Sequence, residues 1–468
     1  MEFKSHKVIV DSENPFKNDR LNRQPHVDNF STLLENISSP IVLSVNAPWG
    51  QGKTTFLEML HAQLINKEHN SIYFSAWETD FASDPLQAFL GEINEKIETL
   101  INGDEEKNKA WESTKKAGSH ILKKGIPALI KVGTAGILDT EKIIEDESSK
   151  MMEGLTKDFL AEYTKNKEAI SQFKSGVSKV LSNDGSDTTR LFIFIDELDR
   201  CRPTYAIELL ERIKHLLDIE GLVFVLAMDK IQLSHSVKGI YGAEFEAIGY
   251  LRRFIDIEYT LPESDLDAFV DQLYINFGFN DFFQKRMQYR EFQYDKDYLK
   301  DTFKLLANAK KLSLREVEQL FAKINLVIQS TAENIYLYPA LLAFLLIAKE
   351  YHYDNYNDYI NKGDTPEKLI SDLYGMIPES KLLDSHSCAL VEGFLIGAKY
   401  DDYDSSTVGN SLKRHEDITK DEGATKEKKR YSDKIISIST SFNGFRNSIS
   451  LDSLKQRIEM VESFQFSS

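Results

Sequence analysis

Apolar positions along this chain follow two rhythms, and the change from one to the other divides it near Pro262. Before that point, short apolar runs bounded by turn residues recur: Ile41 to Val45 after Pro40, a run near 71–76, Leu191 to Ile195, a run near 222–228, and a last one near 255–259. Runs this short, rich in β-branched and aromatic residues, predict strands buried on both faces, as in a parallel sheet covered by helices. After the first run, Phe56, Leu57, Leu60 and Leu64 share one helical face. Beyond Pro262 the spacing is helical, beginning with Leu266, Phe269, Val270 and Leu273. Ser313-Leu314-Arg315-Glu316 reads as a capping box that opens a helix with Val317, Leu320, Phe321 and Ile324 inward. The run Leu341 to Ala348 stops at Lys349-Glu350, too short to span a bilayer, and predicts a buried core helix. Tyr400 to Lys429 is polar and predicts an exposed linker, followed by an amphipathic segment around Leu451 to Phe464. The implied organisation is an α/β core over 1–265 with a helical insertion at about 102–188, a helical domain over 266–398, and a polar linker with a helical end over 399–468.

The chemistry begins where the first strand meets the first amphipathic helix. Ala47-Pro48-Trp49-Gly50-Gln51-Gly52-Lys53-Thr54 fits G-x-x-x-x-G-K-[ST] with a small Ala in the first place. Glycines there let backbone N–H groups of Trp49, Gly50, Gln51 and Gly52 turn onto phosphate oxygens at a helix N-terminus. Lys53 can reach the β- and γ-phosphates, the Thr54 hydroxyl can ligate Mg²⁺, and Thr55 extends the phosphate-binding set. A second apolar strand, Leu191 to Ile195, ends in Asp196-Glu197. Asp196 would hold the Mg²⁺ shell, and Glu197 would orient and deprotonate an attacking water. The pair predicts hydrolysis of a nucleotide rather than phosphoryl transfer to a metabolite. Asp229, after the fourth run, is either a sensor of the γ-phosphate or a helix N-cap.

Asp196-Glu197-Leu198-Asp199-Arg200-Cys201-Arg202-Pro203 resembles the acidic strand-end signature of the KAP-type P-loop NTPases, some of whose bacterial members are associated with phage exclusion and defence. Ile72 to Trp77 with Asp84-Pro85, Phe224 to Asp229, and Tyr250 to Ile255 leading to Leu261-Pro262 are similar to further strands of that family. The resemblance implies a P-loop sheet of the additional-strand ATPase type, order 5-1-4-3-2, and an ATPase that works in a homo-oligomer or with a separate effector protein. It also implies an arginine finger at Arg252 or Arg253, a base-proximal Arg23, and a lid arginine at Arg315. A nucleotide-gated scaffold that hydrolyses slowly is the alternative. Asn361-Lys362-Gly363-Asp364 matches a guanine-recognition string, but it follows no buried strand, so ATP is expected over GTP.

Composition narrows the picture. The 57 basic and 74 acidic residues leave a net charge of -17, which argues against a nucleic-acid-coating surface. Two cysteines, Cys201 and Cys388, give no disulfide framework or cysteine-based zinc site, and ten histidines show no ligand spacing; a reducing cytoplasm fits. The N-terminus has no apolar signal core. Relatives of this type carry membrane spans between the two motifs, but the run Ala117 to Leu138 is broken by Lys123, Lys124 and Lys131 and predicts soluble helix.

Overall fold

A computed structural model describes residues 9–37, 39–124, 149–182, 188–362, 365–398, 405–444 and 451–462. They fall into two compact units, Arg23–Glu263 with the segment that ends at Asp19, and Ser264–Ser468 with Arg20–Asn22.

The first unit is a five-stranded parallel sheet: β1 (Ile41–Asn46), β2 (Asn70–Ser75), β3 (Leu191–Asp196), β4 (Leu222–Met228) and β5 (Ile257–Thr260). The spatial order is β2-β3-β4-β1-β5, which is the order 5-1-4-3-2 expected from the sequence. Alternation explains why β3 and β4 read as unbroken apolar runs. Phe192 and Phe194 of β3 join Val223 and Val225 of β4 in one core, with Phe56, Leu57 and Leu60 from α2 (Lys53–Asn66). Ile193, Ile195, Phe224 and Leu226 point into the opposite core, where Phe89 of α3 (Pro85–Ile101) packs. With both faces covered, the open ground for polar chemistry lies at the carboxyl ends of the strands. β5 begins two residues later than its apolar pattern suggested; just before it, the Asp256 N–H donates to the Val42 carbonyl and its carboxylate accepts from the Val42 N–H.

The insertion contributes α4 (Glu105–Lys124) and α5 (Ser149–Leu181), which pack on each other through Trp111, Ile121, Phe173 and Val177. Among the described residues no helix is long and apolar enough to cross a membrane; the part of the tested run beyond Lys124 lies outside them. The unit also holds α1 (Gln24–Asn36), α6 (Pro203–Leu216), α7 (Lys230–Tyr241) and α8 (Ala247–Leu251).

The second unit is helical: α9 (Leu266–Asn276), α10 (Phe279–Arg286), α11 (Asp295–Lys310), α12 (Leu314–Gln329), α13 (Pro339–Tyr351), α14 (Tyr353–Asn361), α15 (Glu367–Met376), α16 (Glu379–Asp384), α17 (His386–Gly397), α18 (Ser405–Lys420), α19 (Lys426–Gly444) and α20 (Leu451–Glu462). Ser313 and Glu316 form the capping box of α12 in both directions, 3.3 Å and 2.7 Å. In α13, Pro339 to Lys349 are buried without interruption, as its all-round apolar sequence requires.

The described part of the stretch expected as a linker is largely helical, in α18 and the start of α19, and the buried residues of those two helices give the reason. Leu412, His415, Tyr431, Ser432 and Ile435 are buried, and much of what they bury is polar. The Glu392 carboxylate, itself buried on α17, accepts from Tyr374 (2.7 Å) and Tyr431 (2.8 Å) and pairs with His415 Nε2 (2.9 Å), whose Nδ1 meets Ser432 Oγ at 3.0 Å. A satisfied polar network can hold helices together without an apolar stripe for the sequence to announce. Close approach of α17 and α19 depends on Gly393, where an added Cβ would lie 2.6 Å from Ile438 Cγ2. Gly393→Ala should therefore lower the unfolding free energy by about 1–3 kcal/mol despite its higher helix propensity, with Ile438→Ala in the same chain recovering part of the loss, as read from denaturant unfolding.

Candidate functional site

The phosphate cradle sits at the carboxyl end of β1, between β4 and β5. Gly50 and Gly52 adopt φ of +78° and +80°, a backbone that only glycine takes without strain, and Gly52 hands the chain to α2 at Lys53. Thr54 and Thr55 follow in the first turn and are half-buried. Trp49 is exposed over 45% of its surface, yet its indole Nε1–H donates to Asp199 Oδ2 at 2.6 Å.

Lys53 is buried, and its ammonium donates to the carbonyls of Ala47 (2.7 Å) and Pro48 (3.3 Å). Burial lowers its pKa, while the charges of Asp199, Asp229 and Asp196 oppose that shift. Asp199 is nearest, 3.9 Å from the ammonium. Its Oδ2 also accepts the backbone N–H of Asp229 at 2.9 Å, so one buried carboxylate oxygen joins the cradle, through Trp49, to the end of β4. The motif by itself assigns Asp199 no role. Acid-acid-Leu-acid places this carboxylate one short 3₁₀ turn (Leu198–Arg200) beyond the strand, and that spacing was the available signal.

Asp196 and Glu197 end β3, two strands away across β4. Asp196 is buried, its Oδ2 accepting from Tyr73 Oη (2.6 Å) and its Oδ1 from the Glu197 N–H (2.8 Å). Burial first, and then the Asp196 charge, push the Tyr73 hydroxyl well above its ordinary value, so it stays a donor. Glu197 lies at φ +61°, a left-handed conformation costly for a residue with a side chain. Its Oε2 accepts from Ser75 Oγ (2.9 Å), and its Oε1 pairs with Arg200 at 2.7 Å, whose guanidinium lies over the Trp77 ring.

The remaining expected residues are placed as follows. Arg23 is buried beside the cradle, Nη1 donating to the Pro262 carbonyl (2.7 Å) and Nη2 to the Gln51 carbonyl (3.1 Å). It ties the phosphate loop to the exit of β5. Asp229 caps α7, Oδ1 accepting from Ile231 (3.0 Å) and Gln232 (3.2 Å), which is the N-cap reading of that residue. Arg252 and Arg253 follow α8 and are exposed, with Arg253 over the Tyr250 ring. Neither makes an ion pair among the described residues. The acids that follow them in the chain are engaged elsewhere, Asp256 with Lys214 and the Val42 N–H, and Glu258 with Lys230 and Asn46. Arg315 is an exposed first-turn residue of α12 in the other unit. Asn361 and Lys362 of the guanine-like string end a helix rather than a strand; Gly363 and Asp364 lie outside the described residues.

A glycine cradle with a buried lysine on β1, and paired acids on β3 with β4 between them, define a P-loop NTPase. The chain belongs to the KAP family, whose P-loop domain model matches residues 23–331. A phage T7 exclusion protein of Escherichia coli (strain K12) is 22% identical over 272 residues, 50% of this chain and 33% of that protein. The chain thus spans about a third of the length of the curated relative it matches. Among solved structures, an Aeropyrum pernix ORC1 protein in complex with DNA aligns over 94% of this chain and 92% of its own at 12% identity and a TM-score of 0.31. An ORC2 protein of Aeropyrum pernix in ADPNP and ADP complexes aligns over 91% and 94%, at 11% identity and a TM-score of 0.28. At those TM-scores nothing about this chain follows from either.

Asp199→Ala would leave the Trp49 indole and the buried Asp229 N–H without their shared acceptor. It should lower the unfolding free energy by about 2 kcal/mol, whereas Asp199→Asn, which keeps a carbonyl oxygen, should cost less than half of that in the same denaturant titration.

Proposed function

We propose that this protein binds ATP with Mg²⁺ and hydrolyses it, and that the cycle drives a conformational or assembly change in a bacterial anti-phage defence system. The observation that carries the reading is the convergence of one buried ammonium, Lys53, with carboxylates from the ends of β3 and β4 beside a glycine cradle. Lys53 and the backbone N–H groups of residues 49–52 neutralise the phosphates. Thr54 and Asp196 offer the hard oxygen ligands that suit Mg²⁺, and the hydrogen bonds from the Tyr73 hydroxyl and the Glu197 N–H hold the Asp196 carboxylate in place. When bound, that ion supplies positive charge to the phosphate oxygens. Glu197 takes the proton of the attacking water, and Arg23 holds the cradle in shape. Defence is supported by the phage T7 exclusion protein to which part of the chain is similar. A cytoplasmic location is part of the proposal and agrees with two free, buried cysteines.

Exposed Arg252 and Arg253, free of ion pairs among the described residues, suit a finger that reaches nucleotide in a second copy of the chain. Arg315 as a lid arginine and ATP as the preferred base remain parts of the same proposal. The scaffold reading draws on one observation: both Glu197 oxygens are engaged, by Ser75 and Arg200, which disfavours fast proton abstraction.

Steady-state turnover decides between them. Glu197→Gln should bind ATP like the wild type and lose about 10²- to 10⁴-fold in turnover, while Lys53→Ala should lose binding itself. Unchanged turnover in Glu197→Gln removes the hydrolytic assignment; a wild-type rate that stays near that of the variant, alone and with candidate partners, favours the scaffold. For the arginines, Arg252→Ala and Arg253→Ala should differ, and mixing the weaker of them with Lys53→Ala should recover activity if the finger acts between copies. Wild-type rates in both single variants would eliminate the finger.

A further inference from the structure

The helical unit contains a cavity of about 230 Å³, bounded by the start of α11, the loop leading into α13, and one side of α17 and α19. Its volume exceeds the roughly 150 Å³ that admits a benzene ring in an engineered core. Five of its walls are aromatic rings, Phe292, Tyr298, Tyr336, Tyr338 and Phe394, and among the described residues its ionisable groups besides the tyrosines are the carboxylates of Glu291 and Asp295. Among the described residues no basic side chain lines it.

The rings form a continuous wall. Phe292 meets Tyr336 edge-on at 4.8 Å, Tyr336 stacks with Tyr338 at 5.8 Å, and Tyr338 meets Phe394 edge-on at 5.4 Å. Tyr338 reaches this position from φ +48°, a left-handed backbone that disfavours so bulky a residue by about 1 kcal/mol or more. The surrounding fold enforces that conformation, and the ring it presents completes the wall.

The local field is negative. Burial raises the pKa of Tyr336, and the charges of Glu291 and Asp295 add to the shift; Tyr338 is raised by burial, with Asp295 again adding. Asp295 is buried and paired with Arg286 at 2.6 Å, and that guanidinium lies 4.2 Å from the Phe292 ring centre, so one face of Phe292 already receives a cation. Glu291, exposed at the rim, is left as the unbalanced charge.

We propose that this cavity binds a methylated ammonium group. Ring faces and a carboxylate attract a cation, and aromatic walls solvate methyl groups at no cost in unmet hydrogen bonds. A bare ammonium is more strongly hydrated and gives up more of that hydration on entering among the rings than a methylated one does. The group arrives either on a free metabolite or on a methylated lysine of another protein.

Calorimetry on the full chain tests it with choline and with 3,3-dimethylbutan-1-ol, the same shape without the charge. Choline should bind and the neutral isostere should be at least about tenfold weaker, while Tyr336→Leu and Glu291→Gln should each weaken choline by about three- to tenfold. Glu291 is exposed, so its variant keeps the test valid should Tyr336→Leu disturb folding. A trimethyllysine peptide that binds about tenfold tighter than choline identifies a protein side chain as the source; equal or weaker binding identifies a free metabolite. Equal affinity for choline and its neutral isostere, or no choline binding at about 10 mM, overturns the proposal.

Discussion

A positive charge held where water hardly reaches must be surrounded by acceptors, and Lys53 imposes that condition on the whole first unit. An unpaired ammonium at this depth would cost several kcal/mol. The loop answers with two of its own carbonyls, and the neighbouring strand ends answer with three carboxylates at greater range. Those acids can gather only because β4 lies between β1 and β3, so that the turns leaving three parallel strands open on the same edge. Strand order, the glycine conformations and the spacing of acids after β3 are thus parts of one electrostatic arrangement. The carbonyl contacts are weaker partners than phosphate oxygens, which is what a phosphate-binding lysine needs if it is to exchange one set for the other.

Much of this arrangement was readable from sequence because it is local. The cradle is eight consecutive residues, and buried parallel strands are marked by apolar runs that no other exposed pattern mimics. The parts that were not readable depend on partners distant in the chain. Nothing in the sequence around Arg23 announces its contacts, 28 and 239 residues away, with which it braces the loop. Asp229 in sequence is compatible with either a cap or a sensor, and its Oδ1 accepts from the first-turn N–H groups of α7. The acids that follow Arg252 and Arg253 in the chain, Asp256 and Glu258, are met by lysines from α6 and α7.

The helical unit shows the limit of periodicity from the other side. Its first half, with α12 and α13, is written in apolar stripes and is legible at once. Its last third buries hydroxyls, an imidazole and a carboxylate, and a reader of hydrophobic patterns finds only a polar stretch there. Networks of this kind fix the register of helices more narrowly than interchangeable aliphatic contacts, since a shift of one residue leaves several buried polar atoms unmatched.

The placement of the indoles has an optical consequence. The chain has three tryptophans; Trp111 is sealed in the insertion, while Trp49 and Trp77 are about half exposed on either side of the acidic strand end. Trp49 is bonded to Asp199, and Trp77 lies beneath Arg200, the partner of Glu197. Any rearrangement of the cradle or of the acid that faces it changes the polarity around an indole, against a constant background from Trp111. The molecule therefore reports the state of its own phosphate site through its intrinsic emission, with no label added.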